Sequence, residues 1–328
     1  WVIPRRGGTP QCRTDGLIGE VNGGPQDDIP VRLTSRTMIS PDCQTAIARV
    51  EKGGYTQIWQ IALSGPEDCR PLVQADASIF PMGMTDSQFI YLATAWNDPT
   101  NLYRCGRNGE NIEKLTHLNE SLLGDLLQPE VQNLHFKGCD GVEIEGWLMK
   151  PVIGQAPYPT VLNIHGGPTG CYGNAYAFDY QMLAGAGYAV LFINPQGSTG
   201  YGNDFGTSLN LRWGEIDYVD QMAALNHVIE LGLTNPDKLG IYGLSYGGYM
   251  TCWMITQTDR FKAAMSENPV SDLASDCGVG DLSVWMNLDA LGGMPYEVPD
   301  MYDKASPITF AHRVKTPTLM LQGECDYR

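Results

Sequence analysis

The stretch Lys238 to Met250, KLGIYGLSYGGYM, constrains the fold of this chain more than any other. Leu239, Ile241 and Tyr242 read as a short buried strand. Gly243-Leu244-Ser245-Tyr246-Gly247 follows as a G-x-S-x-G, and Tyr249 to Thr258 reads as a helix. A serine on so tight a strand-to-helix turn sits in strained backbone with its hydroxyl exposed, and flanking glycines let strand and helix approach each other. The N–H of the next residue, Tyr246, then points to where an oxyanion would form. A plain Gly-rich turn has the same composition, so the rest of the chain must decide between them.

Downstream of residue 130 strands and helices alternate. Val131 to Phe136 and Val142 to Met149 alternate apolar with polar around Gly138-Cys-Asp-Gly141, a hairpin pattern that opens a second domain, 131–328. Thr160 to Ile164, Tyr188 to Asn194, Lys238 to Tyr242, Phe261 to Met265 and Thr318 to Leu321 read as strands. Ala175 to Ala186 reads as a helix, as does Glu215 to Leu231 with Ile216, Val219, Met222, Leu225 and Ile229 on its apolar side. This order predicts a mostly parallel, doubly wound sheet with helices on both faces and its site at the carboxyl ends of the strands.

Residues 1–130 carry a β repeat. Segments beginning at Trp1, Trp59 and Tyr103 each read as an aromatic-led strand running into a polar Gly turn. Second strands precede the last two, at Thr45 to Val50 and Gln88 to Ala93, and Trp59 to Tyr103 is 44 residues. A repeat of that length made of short strands suggests β-propeller blades, of which the domain 1–130 would be the last. Residues 15–30, rich in Gly, Asp and Pro, read as a loop insertion. The chain opens on Trp1 and stops at Arg328 just after a strand pattern, so both ends read as cut.

A net charge of −16 disfavours nucleic acid and anionic membrane surfaces as partners, and no apolar run is long enough to span a bilayer. Nine scattered cysteines without a C-x-x-C indicate neither zinc nor a disulfide framework and fit reduced thiols in a cytoplasmic protein. Asp272, Asp276 and Asp281 read as a solvated acidic loop. Neither a metal nor an organic cofactor is implied, and a homo-oligomer is left open.

Two further stretches fall at strand ends. His165-Gly166-Gly167-Pro168 places a glycine pair where backbone N–H groups can face a cavity, the oxyanion role of such loops. Asp326 follows the last strand and holds the second place in a Ser, Asp, His order; Glu324 competes for it. No histidine follows Asp326. His117, His135, His165, His227 and His312 offer no base by position. Tyr172 and Trp285, with Tyr176, Phe178 and Met286, are candidates to line an apolar substrate pocket.

Together HGGP, NPQGSTGYG (194–202), WGEIDYVD (213–220), GLSYGGYM (243–250), DRFKAA (259–264), the Ser306-Pro307 pair and TPTLMLQGECDYR (316–328) resemble the catalytic domain of the prolyl oligopeptidase family of serine peptidases. The likeness is greatest to its acylaminoacyl-peptidase branch and bacterial dipeptidyl-peptidase-like relatives. It covers residues 131–328 and, more loosely, the repeats before them. The resemblance implies an α/β-hydrolase domain preceded by a β-propeller and cleavage of short peptides, with esters as further substrates. Ser245 would be the nucleophile and Asp326 the acid. The N–H groups of Gly167 and Tyr246 would form the oxyanion hole, and the histidine would lie downstream of residue 328. Gln196 departs from the family's N-P-R-G. His165 stands where prolyl-cleaving branches have a tyrosine, which favours the acylaminoacyl branch. A catalytically incomplete binding fragment and a carboxylesterase are the competing readings.

Overall fold

The computed structural model describes residues 1–26, 37–65 and 68–328, apart from the side chains of Ser283 and Trp285. The described residues group into two compact units. One comprises residues 1–128, 173–178 and 199–202; the other comprises 129–172, 179–198 and 203–328.

The first unit contains two antiparallel sheets. The longer strands of one are Thr45–Lys52, Tyr55–Ala62 and Cys69–Val73; those of the other are Ser78–Met84, Gln88–Ala95 and Asp98–Gly106. Ile47, Ile58, Val73, Ile79, Phe89 and Tyr91 share one buried cluster. Trp59 and Tyr103, both half-buried, pair across their hairpins with Ala48 and Tyr91. The segment from Trp1 does not form the expected strand. Its only pairing among the described residues is a single bridge, Val2 to Gln11, and Trp1 is exposed. Pro4, Pro10 and the left-handed Gly7 interrupt any ladder there. Residues 27–30 of the expected loop insertion, and Pro66 and Glu67 of the repeat, lie outside the described residues.

The second unit is built on a seven-stranded sheet. In chain order its strands are β1 (Val131–Lys137), β2 (Glu143–Met149), β3 (Tyr158–Ile164), β4 (Ala189–Asn194), β5 (Thr234–Leu244), β6 (Phe261–Glu267) and β7 (Thr318–Leu321). The spatial order is β1-β2-β4-β3-β5-β6-β7. β1 pairs antiparallel with β2, and β2 with β4; all later pairings are parallel. β4 is buried at every position, as a run of six apolar and amide residues in mid-sheet should be.

Three helices matter for the site: α1 (Phe178–Gly185), α2 (Ile216–Glu230) and α3 (Tyr246–Gln257). α3 is buried at every position but its last, and it packs on β3, β5 and β6. α2 turns inward on a face displaced from the expected one. Ile216, Asp217, Asp220, Gln221, Ala224, Leu225 and Val228 are buried, while Val219 is 42% exposed. Two carboxylates on the buried side move the apolar stripe off the phase that hydropathy alone predicts. Among the described residues no helix is long and apolar enough to cross a membrane.

Candidate active site

The parallel register brings the carboxyl ends of four strands level. Ile164 of β3 lies beside Gly243 of β5, Leu244 beside Glu267 of β6, and Glu267 beside Leu321 of β7. The chain leaves this one edge as His165-Gly-Gly-Pro, Ser245, Asn268 and the Gln322–Arg328 loop. Glu267 and Asn268 tie the exits together. The Ser245 N–H donates to the Glu267 carbonyl at 2.9 Å, the Asn268 N–H to the Leu321 carbonyl at 2.8 Å, and the Gly323 N–H to Asn268 Oδ1 at 2.7 Å.

Ser245 stands exposed between β5 and α3 at φ 61°, ψ −119°, a conformation that L-residues rarely hold. The glycines on either side explain how the turn closes. A Cβ on Gly247 would lie 2.0 Å from the Ile164 carbonyl oxygen, and one on Gly243 would lie 2.5 Å from the Gly247 backbone. Helix and strand backbones are in contact at both places. Tyr246 is the first residue of α3, so its N–H precedes the helix's own hydrogen-bond ladder.

A cavity of about 240 Å³ opens at the serine, lined by Gly167, Trp213, Ser245, Tyr246, Tyr249, Val270, Asp276, Leu282, Met286 and Arg328. Gly167 and Tyr246, the residues of both expected oxyanion donors, border it with Ser245. Its walls are mainly aromatic and aliphatic; Trp213 meets Tyr246 edge-on at 4.8 Å between centroids. A larger cavity of about 830 Å³ lies along β3, β5 and β6 beside α1, and no residue of the serine turn lines it.

Tyr172 does not line the cavity at Ser245. It is buried: its hydroxyl donates to Asn163, its N–H donates to Asn194 Oδ1 at 2.6 Å, and its ring meets His165 edge-on. The two asparagines inside the sheet give this phenol and its backbone the partners they need in the interior. Of the apolar candidates Met286 lines the cavity. Trp285 belongs to helix α4 (Ser283–Leu291), but its side chain lies outside the described residues.

Asp326 is half-buried in the loop after β7. One oxygen accepts from Gln322 Nε2 at 3.1 Å and the other from the Arg328 N–H at 3.2 Å. No histidine lines the cavity. His312 is exposed, His227 stacks on Phe136, and His165 is buried with its imidazole pushed down by that burial to about 4.

The spacing did not single out Asp217 and Asp220. Asp217 accepts from the Tyr246 hydroxyl, from the Gly214 N–H at 3.2 Å and from the Tyr218 N–H at 2.9 Å. It therefore braces Tyr246, whose N–H the sequence leads one to expect as an oxyanion donor. Burial outweighs these bonds and raises its carboxyl to about 6. Asp220 accepts from the Cys139 N–H at 2.6 Å and the Gln196 N–H at 2.9 Å, with Gln196 Nε2 at 3.3 Å. The amide of Gln196 thus meets a buried carboxylate without a full positive charge, and burial raises that carboxyl too. The available signal was two acids three residues apart in an amphipathic helix, and only the structure shows that they lie on its buried side.

Residues 174–328 match the model of the prolyl oligopeptidase family. The chain is 35% identical over 317 residues to the uncharacterized peptidase YuxL of Bacillus subtilis, covering 96% of this chain and 47% of that protein. The acylaminoacyl peptidase of Pyrococcus horikoshii superposes with a TM-score of 0.84 at 29% identity, over 96% of this chain and 48% of that one. An acylaminoacyl peptidase in complex with Z-Gly-Gly-Phe-chloromethyl ketone gives the same TM-score at 30% identity, again over 96% and 48%. The chain thus spans about half the length of these relatives. Through its residues 174–328 it belongs to the prolyl oligopeptidase family.

Proposed function

We propose that this chain is part of a serine peptidase that cleaves short acylaminoacyl- or dipeptidyl-type peptides by acyl transfer. Ser245 attacks the scissile carbonyl, and the N–H groups of Gly167 and Tyr246 receive the developing oxyanion. Asp326 orients a histidine supplied from outside residues 1–328. The observation that carries the reading is Ser245, exposed at φ 61° between a strand and a helix and sharing one cavity with both N–H donors. The structure of a similar peptidase with a peptidyl chloromethyl ketone supports a peptide as substrate. The N-terminal sheets are then the last blades of a β-propeller, in line with their antiparallel hairpins and the spacing of Trp59 and Tyr103.

The test is fluorophosphonate labelling of the full-length protein with peptide mapping, beside turnover of acylaminoacyl peptides. Label is expected on Ser245, and its appearance on another serine overturns the reading. Asp326→Asn should lower kcat by orders of magnitude by favouring the wrong imidazole tautomer, as the same change does by about 10⁴ in the serine-protease template. Near-normal turnover of that variant removes Asp326 from the mechanism.

A further inference from the structure

We propose that Asn268 is a positioning residue whose side chain completes the β6–β7 ladder and so fixes the loop that presents Asp326 relative to Ser245; this rests on the peptidase reading of Ser245 and Asp326. β6 and β7 run parallel, with Ala264 beside Thr318 and Glu267 beside Leu321. The Ala264 N–H donates to the Pro317 carbonyl at 3.0 Å. Four residues on in both strands, the Asn268 N–H donates to the Leu321 carbonyl at 2.8 Å. Parallel ladders space such bonds evenly, so the next donor along β7 is the Gly323 N–H and its regular acceptor is the Asn268 carbonyl. The chain does not follow that pattern. Asn268 has φ 44°, so its backbone has left the extended path. Its side-chain Oδ1 takes the Gly323 N–H instead, at 2.7 Å.

Two requirements meet at this one residue. The turn at Asn268 sends the chain to Val270, in the wall of the cavity at Ser245. The loop after β7 must still be held where the turn has withdrawn the backbone acceptor. A glycine would make the turn and leave the Gly323 N–H unheld, while a β-branched side chain would resist the left-handed φ. Asparagine tolerates that φ and carries a carbonyl on a short side chain. The residue it holds opens the turn that presents the acid. The Asp326 N–H donates to the Gly323 carbonyl at 3.2 Å, and Gln322 Nε2 donates to the Asp326 carboxylate at 3.1 Å. The preceding residue, Glu267, accepts the Ser245 N–H on its carbonyl at 2.9 Å. Nucleophile and acid are thus both referred to two consecutive residues at the end of β6.

The test compares Asn268→Gly, Asn268→Asp, Asp326→Asn and the double variant Asn268→Gly with Asp326→Asn in the full-length protein, with the active fraction set by titration of Ser245. Asn268→Gly keeps the turn and removes the acceptor, so Asp326 loses its aim while the cavity wall stays. Misplacing a reacting group by about 1 Å costs about 10² in rate. Asn268→Gly should therefore lower kcat about tenfold to a hundredfold, with KM within about threefold. Asn268→Asp keeps an acceptor and tolerates the turn, so it should retain more kcat than Asn268→Gly. The double variant decides the route. Where the asparagine acts through Asp326, adding Asn268→Gly to Asp326→Asn should cost less than about twofold more, because residues that act as one unit are not additive. Asn268→Gly with kcat within about twofold of the parent overturns the proposal. So does a loss seen only as a smaller titratable fraction, and so do losses that multiply in the double variant. Near-normal turnover of Asp326→Asn alone sinks the acid assignment, and a parent that is not labelled at Ser245 sinks the peptidase reading.

Discussion

His165, whose Nδ1 is 2.8 Å from the Gly166 carbonyl oxygen, and Asp217 each brace one side of the proposed oxyanion hole, and their ionisation opposes in sign. Unfolded, His165 titrates near its ordinary 6.5; burial lowers it to about 4 in the fold. As pH falls between those values the unfolded chain binds a proton that the folded chain refuses. The stability this group contributes is therefore full above 6.5 and lost as pH falls toward 4. Asp217 is raised by burial from 3.8 to about 6, so the folded chain keeps a proton the unfolded chain has released, and stability declines as pH rises across that window. The two slopes offset between about 4 and 6. Asp217→Asn should therefore steepen the acid-side loss of Tm, and His165→Asn should flatten it. Thermal melts from pH 4 to 7 measure both, and parallel profiles for parent and Asp217→Asn would contradict the assignment.

At the scale of elements, the contact between β3 and α3 depends on one missing methyl group. Gly247→Ala places a Cβ 2.0 Å from the Ile164 carbonyl oxygen, and backbone cannot yield there as a side-chain tip can. Helix α3 must lift from the sheet. Overpacking of this kind costs about 1–3 kcal/mol, and the lift carries Ser245 and the Tyr246 N–H with it. Gly247→Ala should lower the urea midpoint and abolish fluorophosphonate labelling; labelling at the parental rate would show that the helix has room. Asp220 works similarly at a distance, holding the Cys139 turn between β1 and β2 and the Gln196 turn after β4 to one point on α2.

For the whole molecule, the informative surface lies away from the serine. The larger cavity is lined by Val161, Met182, Leu183, Leu239, Ile241, Met265 and Leu319. Beside it the edge strand β7 leaves Leu319 55% and Met320 52% exposed. An apolar sheet face ending in a short apolar edge strand invites association. A polypeptide of residues 1–328 should bind an apolar dye such as anilinonaphthalene sulfonate and self-associate in sedimentation runs. Leu319→Lys should reduce both; a monodisperse parent without dye binding would show that this face is already covered.

The serine turn, the glycine pair after β3 and the alternation of strands and helices were legible because each is written in neighbouring residues. A G-x-S-x-G between an apolar run and a helical pattern has few ways to fold, and strand ends collect loops wherever strands run parallel. Tertiary structure alone decided which residues face inward elsewhere. Tyr172 looks like a pocket wall in sequence, yet Asn163 and Asn194 draw it into the interior. Asp217 and Asp220 fall off the apolar side that hydropathy marks on their helix, yet each has a donor from far along the chain, Tyr246, 29 residues away, for one and Cys139, 81 residues away, for the other. Burying a carboxylate or a phenol is costly unless partners wait for it, and those partners come from remote elements that no local pattern records.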